Sequence, residues 1–168
     1  MEKAIAVIVI LLICALGWSC FAQQTRPLPV YPQGKQSAGP RSSDRERANK
    51  LYELARKENR ALQWNSCLAA KATVRARRMV TERYFDHEDP KTGRNPVWNS
   101  VNLCVPANRK RSSVAAGENL AKGLDTAANI HEALMKSPTH RKNIMDRRFN
   151  NIGVGCYDSI CVELFAGF

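Results

Sequence analysis

Three features of the sequence predict an α+β domain running from Ser43 to Phe168. Apolar residues recur with the helical period through its first half. The chain closes on two strand-like runs separated by a two-residue turn. Both faces of those runs are apolar, so helices should pack on each side of the sheet they build.

Ahead of the domain, Lys3 precedes a charge-free stretch from Ala4 to Ala22 with a dense apolar run to Leu16. A basic start, an apolar run and the small-residue exit Cys20-Phe21-Ala22 predict a secretory signal peptide over residues 1–22. A retained signal anchor is the alternative, because the stretch nearly spans a bilayer. Gly17, Trp18 and Ser19 interrupt the run and favour cleavage. Residues 23–42 carry Pro27, Pro29, Pro32 and Pro40 with few apolar side chains, the composition of a disordered leader. These features predict a secreted protein, or a periplasmic one in a cell with an outer membrane, that is not integral to the membrane once cleaved.

Inside the domain, Ser43 and Glu46 have capping-box spacing for a first helix striped by Ala48, Leu51, Tyr52 and Ala55. A second helix begins near Asn65 and buries Leu68, Ala72, Ala76, Met79 and Val80, with Arg75, Arg77 and Arg78 turned to water. It ends around Tyr84 and delivers Phe85, Asp86 and His87 to a loop marked by Asp89-Pro90 and Thr92-Gly93. Arg94 to Arg111 reads as irregular. A strand follows within Val114–Gly123. Asp125 or Thr126 then caps a helix bearing Ala127, Ile130, Ala133 and Leu134. Ser137 caps a further helix with Pro138 at its first position, where a missing amide costs nothing.

In the closing strands, a turn at Asp158-Ser159 pairs Tyr157 with Ile160. That register sets Cys156 opposite Cys161 at a closely spaced, non-hydrogen-bonded pair, which suits a disulfide. Cys67 is left to pair with Cys104. Exported chains favour such bridges, and no CxxC pair points to zinc. The same register puts Gly153 and Gly155 opposite Leu164 and Val162, a face on which a helix can sit close. Ile152, Val154 and Phe165 share the other face.

The chain carries a formal net charge of +11. Export and the lack of aromatics interleaved with the basic clusters at 75–78, 109–111 and 147–148 exclude nucleic acid as the expected partner. The charge solubilises the surface, and it can also draw the protein to anionic lipid or cell-envelope polymers in a salt-sensitive way.

Three residues stand out chemically. His140 falls at the third position of a helix, whose positive end favours the neutral ring. His87 lies among Asp86, Glu88 and Asp89. Glu118 interrupts a short apolar strand, and a carboxylate there needs histidines or a cation as partner. His131, mid-helix, reads as a packing residue.

The segments LQWNSCLAAKATVRARRM (62–79), YFDHEDPKTG (84–93), AAGENLAKG (115–123), SPTHRKNIM (137–145) and FNNIGVG (149–155) occur in this order. Together they resemble the CAP superfamily of cysteine-rich secretory, antigen-five and pathogenesis-related proteins. The SPTHR form is similar to its compact bacterial branch. The resemblance implies a three-layer α-β-α sandwich with a central antiparallel sheet and a surface cleft. His87, Glu118 and His140 match three cleft residues of the family. Leu134 and Ser137 stand where the family's tryptophan and second glutamate lie, leaving a three-member site with Ser137 beside it.

The expected function is that of a secreted, non-catalytic protein. Its cleft would bind a lipid or sterol, an envelope component, a protein partner or a divalent metal such as zinc, held by His87 and His140 with Glu118. No cofactor is required. A zinc-dependent hydrolase using the same three residues is the alternative, since two histidines and a carboxylate also form a catalytic zinc set.

Overall fold

The computed structural model describes residues 40–109, 114–123 and 126–168. The expected signal peptide, and the leader as far as residue 39, lie outside them. Five helices are described: α1 (Ser42–Glu58), α2 (Ser66–Thr81), α3 (Val97–Asn102), α4 (Ala127–Lys136) and α5 (Pro138–Met145). Four strands accompany them: β1 (Gln63–Trp64), β2 (Ala115–Lys122), β3 (Asn151–Tyr157) and β4 (Ile160–Gly167).

The strands form one sheet in the order β1-β3-β4-β2. The closing hairpin has the expected register: Gly153 faces Leu164, Gly155 faces Val162, and Cys156 faces Cys161. Asp158 takes the left-handed backbone of the turn, with φ of 53°. β2 runs antiparallel to β4 along its whole length and forms one edge.

Both faces of the sheet are covered. On one, α2 and α3 bury Leu68, Ala72, Met79 and Val101 against Leu120, Val162 and Leu164. On the other, α1, α4 and α5 bury Leu51, Ile130, Leu134 and Ile144 against Ile152, Val154 and Phe165. The result is an α-β-α sandwich with two separate apolar layers, each gaining stability from the surface it removes from water.

Glycine sets the spacing of α2. A methyl group built on Gly155 would stand 2.1 Å from the Thr73 nitrogen, and one on Gly153 would stand 2.2 Å from the Ala69 nitrogen. The helix backbone therefore rests directly on β3. Two disulfides hold the periphery: Cys67–Cys104 ties the segment after α3 to the first turn of α2, and Cys156–Cys161 bridges the hairpin.

Several expectations need correction. The sheet is mixed, because β1 pairs parallel to β3 at Gln63↔Asn151 and Trp64↔Ile152. Two residues are too few to show a strand period, so the sequence conceals them. The supposedly irregular 94–111 stretch contains α3, whose Val97 and Val101 are buried one turn apart. α1 starts at Ser42, and its first turn is closed by Asp44, which accepts from the Arg41 backbone N–H, rather than by Ser43 and Glu46. α2 stops at Thr81, where Arg83 takes a φ of 56° and turns the chain towards His87. Thr126 does cap α4, accepting from Asn129 N–H. In that helix His131 is buried and Ala133 exposed. Ser137 occupies the cap position of α5, but its side chain makes no capping hydrogen bond.

Candidate functional site at the β2 edge

Consecutive side chains of a strand point to opposite faces. Glu118 and Asn119 use this to link the two layers at the β2 edge. Glu118 faces the α2 layer. Its side chain is 2% exposed and meets two partners: Arg75 Nε–H donates to Oε2 at 3.2 Å, and His87 Nδ1–H donates to Oε1 at 2.9 Å.

Arg75 is the residue that the sequence reading misplaced. It is buried, not turned to water. Its guanidinium also donates to the Tyr84 hydroxyl at 2.8 Å and to the backbone carbonyls of Asp86 and His87 at 2.7 and 2.8 Å. One planar cation thus neutralises Glu118 and fixes the loop that carries His87. A signal was present. Arg75 falls seven residues after Leu68 and three after Ala72, on the buried stripe of α2.

The other two arginines of the cluster are partnered as well. Arg78 bonds Glu82 at 3.1 Å and Asp89 at 2.6 Å. Asp89 in turn accepts from Lys91 N–H and donates its own N–H to the Arg94 carbonyl. This compact turn holds the 85–94 loop from its far end. Arg77 lies over the Tyr157 ring at 5.9 Å.

Asn119 faces the opposite layer and holds α5. Its Nδ2–H groups donate to the His140 carbonyl at 3.2 Å and to Glu163 Oε2 at 3.0 Å. Asn143 donates to the Glu118 carbonyl and to Asn119 Oδ1. At the other end of α5, the buried Asn59 amide donates to the Ile144 and Asp146 carbonyls. The helix that carries His140 is therefore anchored at both ends.

Two of the three expected residues, His87 and Glu118, meet at this edge, and α5, which carries His140, is tied to the same strand through Asn119 and Asn143. His87 Nδ1 stands 2.9 Å from Glu118 Oε1, and His140 is half-buried on α5. Burial pushes the His140 ring below the ordinary histidine range, and His87 lowers it further. The neutral ring expected from the sequence is supported, with desolvation as the main cause. Half of the His87 side chain is exposed. Ser137 is half-buried at the start of α5, where its carbonyl accepts from Arg141 N–H.

Glu118 spends one oxygen on Arg75 and the other on His87. Among the described residues no group of three or more His, Cys, Asp or Glu side chains is placed to hold a metal ion. Nor is any described helix long and apolar enough to cross a membrane.

A disulfide-bonded α-β-α sandwich with a buried Arg75–Glu118–His87 cluster at its edge strand defines the class, that of SCP-like domains. The chain belongs to the cysteine-rich secretory protein (CAP) family, whose model matches residues 42–161. It is 34% identical over 125 residues to YkwD of Bacillus subtilis, described as an uncharacterized protein. The match covers 70% of this chain and 46% of YkwD, so the chain spans about half the length of that relative. Among solved structures it resembles an extracellular SCP-domain protein of Bacillus anthracis, with a TM-score of 0.63 and 23% identity over 74% of this chain and 41% of that one. It also resembles an outer surface protein of Borrelia burgdorferi, with a TM-score of 0.58 and 20% identity over 74% and 92% of the two chains. At these identities the structural matches establish the fold.

Proposed function

We propose that this is a secreted, non-catalytic CAP-domain protein that captures a ligand in the cleft between the 85–94 loop and α5. The observation that carries this reading is the state of Glu118. A carboxylate with both oxygens engaged by internal donors acts as a support, holding His87 in orientation, rather than as a general base or a ligand-binding group. In this reading the two imidazoles would present the binding surface together with Phe85, which is exposed and lies on the same loop as His87. A neutral His140 can hydrogen-bond the polar end of a lipid or sterol while the aromatic ring covers its apolar body. The signal peptide expected at residues 1–22, the two disulfides and the extracellular or surface relatives support secretion.

The purified protein and its His140→Trp variant test this, using a soluble sterol and phosphatidylglycerol vesicles as probes. Cleft capture predicts sterol binding that is insensitive to salt and lost when tryptophan fills the cleft. Vesicle binding that survives the substitution and falls with salt would assign the activity to the basic surface instead. Hydrolytic turnover abolished by Glu118→Gln would overturn the non-catalytic reading.

A further inference from the structure

Glu163 is an acid in the middle of an apolar strand. It lies on β4, is 1% exposed, and pairs across the sheet with Asn119 on one side and Val154 on the other. Its layer is built from apolar residues of α1, α4 and α5. One oxygen accepts from Asn119, and Oε1 has no hydrogen-bond partner among the described residues. Burial pushes this carboxyl up to about 7, with the Asn119 bond pulling weakly the other way.

Among the described residues no charged group offsets that burial. On α1, the buried Asp44 bonds Arg41 and Arg47. On α4, His131 turns its Nε2 towards Glu58 at 3.7 Å. From α5, only the His140 carbonyl and the Asn143 amide reach the cluster, both through Asn119. β3 contributes Val154, and on β4 Cys161 and Phe165 share the face of Glu163.

Asn119 is thus a shared joint. The same Nδ2 group that donates to Glu163 donates to the carbonyl of His140, the residue assigned above to the proposed cleft. We infer that Glu163 and Asn119 form a proton-controlled latch that holds α5, and His140 with it, against the β2 edge. With the acid neutral, the pair sits in its apolar layer without charge and the latch is closed. Loss of the proton to solvent leaves a full charge with one amide donor, a costly state in a dry interior. The cheapest relief is water entering between α5 and β2, which loosens the seat of His140. The consequence for ligand capture rests on the cleft reading above. The coupling itself is measurable without any ligand.

The experiment follows the δ-carboxyl carbon of Glu163 in the purified, 13C-labelled protein from about pH 5 to about pH 9, across the ordinary histidine range and beyond. The His140 ring resonances and the amide exchange of α5 are followed in parallel. The expected result is a Glu163 midpoint near neutrality, a second inflection of the His140 resonances at that midpoint, and faster α5 exchange above it. Glu163→Gln should abolish the second inflection while leaving the ring's own titration. Titration of Glu163 in the ordinary carboxylate range would overturn the latch, as would a second inflection that persists in the glutamine variant. If that variant does not fold, the wild-type carboxyl midpoint and its coincidence with the His140 inflection decide alone. Failure of sterol capture would not touch this result, so the two proposals fail separately.

Discussion

At the residue scale, Arg75 is the most exacting position. Replacing it with methionine leaves Glu118 buried without its cation and frees the carbonyls that fix the His87 loop. Breaking one side of a buried ion pair costs about 3–5 kcal/mol, so Arg75→Met should lower the denaturant midpoint steeply. Arg75→Lys should recover little, because an ammonium cannot serve Glu118, Tyr84 and two carbonyls from one plane. Two titrations, of the half-buried His140 and the buried Glu163, should also oppose each other. His140 is depressed in the fold, so stability falls as pH drops below its ordinary 6.5. Glu163 is raised, so the fold binds its proton more readily, and stability falls as pH climbs from 4.5 to about 7. Thermal melts across this range should show His140→Ala flattening the acid limb and Glu163→Gln flattening the neutral one. The sequence exposed His87, Glu118 and His140 through their local oddness, and it required a partner for Glu118. It hid that partner because three arginines in four positions look like a solvated face, although one of them falls on the apolar stripe.

At the element scale, the closing hairpin was legible almost residue by residue. Alternation, a two-residue turn and paired cysteines determine a single register, and glycines opposite branched residues announce a close helix. Gly155→Ala tests that packing. A methyl 2.1 Å from a helix backbone nitrogen forces α2 off the sheet, and we expect a loss of about 3 kcal/mol or more in a chemical denaturation curve. Wild-type stability in the alanine variant would contradict the packing. Cys67 and Cys104 are 37 residues apart, so replacing both with serine should cost about 2–4 kcal/mol and loosen α3. β1 and α3 escaped the sequence because each is too short for its period to register. They exist through what they rest on: β1 on β3, and α3 on the α2 side of the sheet.

At the scale of the whole molecule, the two layers do different work. The α2 layer holds Glu118 and His87 through one buried cation, and the α1–α4–α5 layer holds His140 through Asn119 and Asn59. The two supports converge on one edge strand through Glu118 and Asn119, which no local pattern could reveal without the family's order of motifs. The excess of basic charge should add weak, salt-dependent attraction to anionic vesicles on top of any cleft specificity.

The central claim is that Glu118 is an internal support and that the cleft is not a three-ligand metal centre. Calorimetric titration of zinc into the metal-stripped protein, beside His140→Ala, tests it most directly. The account predicts no one-to-one binding that depends on His140. A one-to-one zinc site lost in the variant would contradict it and return Glu118 to the metal.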